Sequence, residues 1–154
     1  MATSAASPDA ARVAELLGRE PQSTFEVVVR NVDDEPVVLR NHPLMFNGRP
    51  MPTLYWLAGK EALRRVSRLE AAGGVRAAEA EIPAADIAAV HARYAAERDA
   101  LIPADHMGPR PSGGVAGTRK GVKCLHAHYA YLLAGGDDPV GRWVAQRLAE
   151  EDSE

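Results

Sequence analysis

The chain has 154 residues, of which 46% are hydrophobic, and a formal net charge of −3 at pH 7. Its length and composition suit one globular domain with a substantial buried core. The net negative charge argues against a protein that binds nucleic acid over its whole surface. The single cysteine excludes an internal disulfide and a multi-cysteine metal site. No apolar run approaches the ~18 residues of a membrane span and the N-terminus lacks a secretory pattern, so we expect a cytoplasmic protein.

The predicted elements begin with a short helix at 10–17, which follows a disordered lead at 1–8. β-Branched residues on both sides of an acidic turn ending in Pro36 predict a β-hairpin. A third strand is expected at 53–57, after a turn-like segment. Apolar residues at helical spacing predict a helix at 60–72, with two glycines placed to end it.

The second half of the chain is predicted to be helical apart from one long loop. Pro83 favours the start of a helix, and that helix must end before Pro103. Residues 103–121 contain five glycines and three prolines, which predicts a long Gly/Pro-rich loop. Helices are expected again at 122–134 and 139–150.

Together these elements predict an α+β fold. A small antiparallel sheet, made of the hairpin and the third strand, is covered by four or five helices. We expect a single domain at 9–150 and a charged tail at 151–154.

The segment 106–136 is the most distinctive part of the chain, because it contains four Arg or Lys and neither Asp nor Glu. Its glycine-rich loop leads into a predicted helix, and helix N-terminal amides with nearby cations bind anions. The loop matches neither of the two standard glycine motifs for nucleotide binding. We therefore expect a site for a generic phosphate-like anion. Its predicted members are Gly117, Thr118, Arg119, Lys120, Gly121 and Lys123.

Cys124 and His128 lie four residues apart in the same predicted helix, so they are expected side by side, with His126 on the other flank. In one interpretation Cys124 is a catalytic nucleophile and His128 its base. In a second, both bind a metal whose site His42 or His106 completes, although no metal is expected from the composition alone. In a third, the cysteine is a small buried hydrophobe and the histidine a hydrogen-bonded core residue.

His91 and Arg98 fall on the apolar stripe of the helix after Pro83 and are expected to support the site, together with His126. A buried arginine needs a partner. Arg98 therefore pairs with a carboxylate, faces a ligand, or extends its charged end to solvent from the helix end.

Three segments of the chain carry a family resemblance, and they lie within a match over most of residues 20–145. The segments are GRPMPTLYWL at 48–57, VSRLEAAG at 66–73 and GGVAGTRKGVKCLHAHYAYLLAGGDDPVG at 113–141. The chain resembles DUF501, an actinobacterial family of small proteins of unknown function, and KCLHAH is the most specific part of the match. The resemblance implies no chemistry. Genes of the family often lie near those for a septum-formation protein and an exopolyphosphatase-type enzyme.

The preferred functional hypothesis is a cytoplasmic ligand-binding or regulatory domain that recognises a small anionic or phosphorylated ligand at the glycine-rich loop. The first alternative is an enzyme, thiol-dependent or metal-dependent, that uses Cys124 and His128. The second is a protein-binding adaptor linked to cell division or the envelope. The sequence names no cofactor, and a nucleic-acid or membrane partner is not expected.

Overall fold

The computed structural model describes residues 8–153 of the chain. The predicted disordered lead lies outside the described residues except for Pro8, which begins the first helix. In chain order the elements are α1 (Pro8–Leu17), β1 (Phe25–Arg30), β2 (Pro36–Asn41), β3 (Tyr55–Leu57), α2 (Lys60–Ala71), α3 (Gly74–Glu81), α4 (Ala84–Asp99), a 3-10 helix (Val115–Gly117), α5 (Leu125–Leu133) and α6 (Pro139–Asp152). In this part of the chain, no helix combines the length and the apolar composition needed to span a membrane.

The three strands form an antiparallel sheet in the order β1-β2-β3, as the hairpin and third strand predict. The hairpin turn is held by Asn31, whose side-chain oxygen accepts the backbone N–H groups of Asp33 and Glu35. Asx turns of this kind replace the missing ladder hydrogen bonds at the end of a hairpin. The α+β fold class is confirmed.

The two faces of the sheet pack against different helices, because side chains alternate along a strand. Leu39 of β2 packs with Phe25 and with Val13 of α1, so α1 covers one face. Val38, the preceding residue, belongs to the main core, which helices α2 to α6 build over the other face. The sheet therefore lies between α1 and the remaining helices, and β3 forms one of its edges.

One helix was not predicted, and two helix boundaries differ from the prediction. Gly73, with φ of +90°, ends α2 as expected, but the chain enters α3 at once instead of a loop. The helix predicted at 122–134 begins only at Leu125, because Gly121 turns the chain with φ of +64° and Cys124 is extended. At the other end, α6 continues to Asp152, so the predicted charged tail at 151–154 is mostly helical within the described residues.

Candidate functional site

A cleft of about 260 Å³ opens at the edge of the sheet formed by β3. It lies where the segment after α1, the first half of α2 and the start of α5 meet. Residues that line it include Arg19, Trp56, Leu63, Ala116, Cys124 and His126. Its walls are therefore largely apolar, with the thiol and imidazole as reactive groups.

Cys124, His126 and Glu70 form a cluster in which one potential ligand atom of each residue lies within 4.8 Å of the others. The last turn of α2 places Glu70 against the start of α5. Its Oε2 accepts the Leu125 N–H at 2.7 Å and lies 3.0 Å from His126 Nδ1. This carboxylate thus satisfies the first amide of the helix and orients the imidazole at the same time.

The surroundings of His126 favour its charged form. The pKa of His126 is raised to about 9, chiefly by its hydrogen bond to the Cys124 side chain and, to a smaller extent, by Glu70, while burial opposes the shift. His126 is therefore an imidazolium at pH 7. This positive charge lies beside the Cys124 sulfur, at the N-terminal end of α5.

His128 has a different partner from the one the spacing predicts. It is buried in α5, and its Nδ1 lies 2.7 Å from Oδ2 of the fully buried Asp138. Asp138 also caps α6 by accepting the N–H groups of Val140 and Gly141. Helical i,i+4 spacing does not apply to Cys124 and His128, because the helix begins after Cys124, and a joint role of the two residues stays a prediction.

His91 and Arg98 are both buried and hold loops in place. His91 accepts the Val115 N–H at Nδ1, 3.1 Å away, and donates from Nε2 to the Gly121 carbonyl at 2.7 Å. This pattern requires the neutral ring, and burial lowers the pKa of His91 accordingly. Arg98 pairs with the Asp99 carboxylate at 3.0 Å and also donates to a backbone carbonyl. Of the three arrangements predicted for Arg98, the structure shows the pair with a carboxylate.

The glycine-rich loop exposes the cations of the predicted anion site, Arg119, Lys120 and Lys123. Its Thr118 hydroxyl donates to a carbonyl within the loop. Two amides of this segment already bind carboxylates of the protein itself: Val122 N–H donates to Glu79 at 3.0 Å, and Leu125 N–H donates to Glu70. Binding of an external anion at this loop stays a prediction.

The remaining metal-ligand candidates do not join the cluster. His42 Nδ1 accepts the N–H of Leu44 at 3.2 Å, and His106 Nε2 lies 3.0 Å from the Pro109 carbonyl. Among the described residues the potential metal ligands that come together are Glu70, Cys124 and His126. Sequence reasoning missed Glu70, which lies 54 positions before Cys124 in an ordinary amphipathic helix with no local signal.

Comparison with known families supports the assignment made from sequence. The family described as "Protein of unknown function (DUF501)" matches residues 27–146, which cover most of the chain. No curated protein and no solved structure matches the chain.

Proposed function

Since the chain belongs to the DUF501 family, described only as proteins of unknown function, we propose its activity from the site itself: a thiol-dependent enzyme that transfers or hydrolyses acyl groups. Cys124 is the nucleophile, His126 the acid and base, and Glu70 the residue that positions the imidazole. The observation that carries the proposal is the Cys124–His126–Glu70 cluster, whose thiol and imidazole line a cleft. This is the thiol, imidazole and carboxylate set of covalent cysteine catalysis.

The reaction proceeds through a thioester. The Cys124 thiolate attacks the carbonyl carbon, a C–S bond forms, and the bond to the leaving group breaks as His126 gives that group a proton. His126 then takes a proton from water or an acceptor nucleophile, which attacks the thioester and releases the thiol. The His126–Glu70 contact at 3.0 Å keeps the ring oriented through both steps.

Acyl chemistry fits the surroundings of Cys124 better than phosphoryl transfer. A cysteine phosphatase wraps the phosphate in a loop that follows the nucleophile and ends in arginine. Here the chain enters α5 directly after Cys124, and the next side chains are Leu125, His126 and Ala127. The apolar walls of the cleft, including Trp56 and Leu63, suit the carbon body of an acyl substrate.

Metal-dependent hydrolysis is the second candidate, and one observation favours it. Glu70, Cys124 and His126 supply oxygen, sulfur and nitrogen ligands within 4.8 Å of one another, and the last two line the cleft. Three protein ligands and one open position form the usual arrangement of a catalytic zinc. Anion binding at the glycine-rich loop and a protein-adaptor role are alternatives that the cluster does not favour.

The test is alkylation of Cys124 by iodoacetamide across pH, followed by mass spectrometry. We expect rapid modification at pH 6–7, where a free cysteine with a pKa near 8.5 reacts slowly. His126→Asn should slow the reaction at these pH values, whereas His106→Asn, which alters a partly exposed histidine outside the cluster, should not. A thiol that titrates like free cysteine in the wild-type protein contradicts the proposal.

The same experiment separates the two candidates when it is repeated after dialysis against a chelator and with added zinc. The thiol enzyme keeps its reactivity without metal and loses it when zinc occupies the sulfur. A protein that binds zinc as purified, and whose thiol becomes reactive only after chelation, supports the metal-dependent candidate instead.

A further inference from the structure

The cleft also carries a cation that the proposed chemistry does not use. Arg19 lies just after α1, and its guanidinium carbon is 5.5 Å from the centroid of the Trp56 ring. Both residues line the cleft that contains Cys124 and His126. Arg19 is exposed, and across residues 8–153 it has no carboxylate partner, unlike Arg12 of α1, which binds Glu35.

The position of Arg19 gives the cleft two kinds of recognition surface. The stack on Trp56 is a cation–π contact, which holds the guanidinium over the ring and leaves its outer N–H groups available. Trp56 itself is half-buried, so part of its surface also faces the cleft. An unpaired arginine next to an aromatic wall is suited to a ligand with an anionic group beside an apolar one.

The charge of the residues that line the cleft also favours an anionic ligand. Glu70, the carboxylate of the cluster, is already engaged by the His126 ring and by the Leu125 amide. Among the described residues that line the cleft, Arg19 is the one Arg or Lys, and none is Asp or Glu. A cation in a cleft raises the local concentration of anionic substrates.

We propose that the substrate of this site is a small acyl compound that carries a carboxylate or phosphate. Arg19 binds the anionic group, Trp56 packs against the apolar part, and the carbonyl carbon then lies at Cys124 Sγ. The volume of about 260 Å³ is below the ~300–1,000 Å³ of cavities that hold drug-sized ligands, so the substrate is small or only its end enters. This inference rests on the proposed thiol activity.

Two alkylating probes test the inference without knowledge of the substrate. Iodoacetate and iodoacetamide react by the same step, in which the thiolate attacks the methylene carbon, a C–S bond forms and iodide leaves. They differ chiefly in the charge of the carboxylate. We expect the ratio of the iodoacetate rate to the iodoacetamide rate to exceed that of glutathione, and to fall as salt is added.

Arg19→Gln should lower this ratio about two- to fivefold, the effect of one solvent-exposed ion pair. The iodoacetamide rate of the same variant corrects for any change in the thiol. The matched control is Arg49→Gln, which removes one exposed positive charge outside the cleft and should leave the ratio unchanged. Because Trp56 packs against the apolar part of a ligand, the wild type should react faster with N-benzyl-iodoacetamide than with iodoacetamide. Trp56→Leu should reduce this preference.

The two proposals fail in different ways. A Cys124 thiol that reacts with iodoacetamide no faster than free cysteine overturns the thiol activity. A reactive thiol whose iodoacetate preference is the same in Arg19→Gln as in the wild type overturns the anionic substrate while leaving the thiol activity in place.

Discussion

Glu70→Gln is the most informative single substitution, because this carboxylate links the start of α5 to the imidazole. Gln has the same shape and its side-chain oxygen can still accept the Leu125 N–H, so the change removes charge and little else. We expect the variant to fold with lower stability and a less reactive Cys124. Both effects follow from the two contacts of Glu70 Oε2, at 2.7 Å and 3.0 Å.

The loss of stability is the sum of three small contributions. Replacing a charge-assisted hydrogen bond to Leu125 by a neutral one costs about 1 kcal/mol. Removing a negative charge from a helix N-terminus costs up to about 1 kcal/mol. The pair with His126, whose side chain is 45% exposed, contributes only about 0.5 kcal/mol because solvent screens it. The free energy of unfolding should fall by about 2 kcal/mol, and the Tm by about 4–8 °C.

The reactivity of Cys124 should fall as well, because Glu70 helps to keep His126 protonated. We expect alkylation at pH 7 to slow about fivefold, the rate equivalent of about 1 kcal/mol. Glu79→Gln is the matched control, since Glu79 accepts the Val122 N–H of the same loop and does not belong to the thiol cluster. If alkylation of Cys124 slows equally in Glu70→Gln and Glu79→Gln, Glu70 has no specific role in the reactivity of the thiol and only a structural one.

Three further predictions concern groups around the cluster. NMR titration should place the pKa of His126 near 9, and the Cys124→Ala variant should show a lower value because it removes the largest cause of the raised pKa. The stability that comes from this raised pKa should be fully present below about pH 6.5 and lost as the pH rises through about 9. Gly114→Ala should lower the free energy of unfolding in urea by about 2 kcal/mol or more, since a Cβ there would lie 2.4 Å from the Cβ of His91. Asp138→Asn should lower it by about 3 kcal/mol in the same assay, as Asp138 is fully buried and holds both a histidine and the start of α6.

Local sequence patterns were sufficient for most of the elements. The helix predicted at 60–72 is α2 at Lys60–Ala71, and the alternation around the acidic turn gives β1 and β2. These elements follow from periodicity and turn chemistry, which act between residues close in the chain. Helix α3 was missed because Gly73-Gly74 was interpreted only as a stop, whereas Gly73 ends one helix and precedes another.

The candidate site needed information that no local pattern contains. Sequence analysis left three interpretations of Cys124 open and paired it with His128 in two of them, since the residues from Val122 onward have a helical pattern. Two carboxylates, Glu79 and Glu70, bind amides before and at the start of α5, and they are 43 and 55 positions away from those amides. Contacts between residues so distant in the chain depend on the packing of α2 and α3 against the loop.

These carboxylates also bear on the anion hypothesis, because they occupy amides that an external phosphate would use. The cleft beside the loop, of about 430 Å³, contains Arg119 and Lys120 but also Glu79, whose charge repels an anion. Glu79→Gln should therefore strengthen phosphate binding at this loop about fivefold, measured by calorimetry at low salt. Lys120→Ala added to that variant should weaken it again. Phosphate binding that is equal in the wild type and Glu79→Gln would show that the carboxylate and the anion do not compete, and that the basic loop is not the place where phosphate binds.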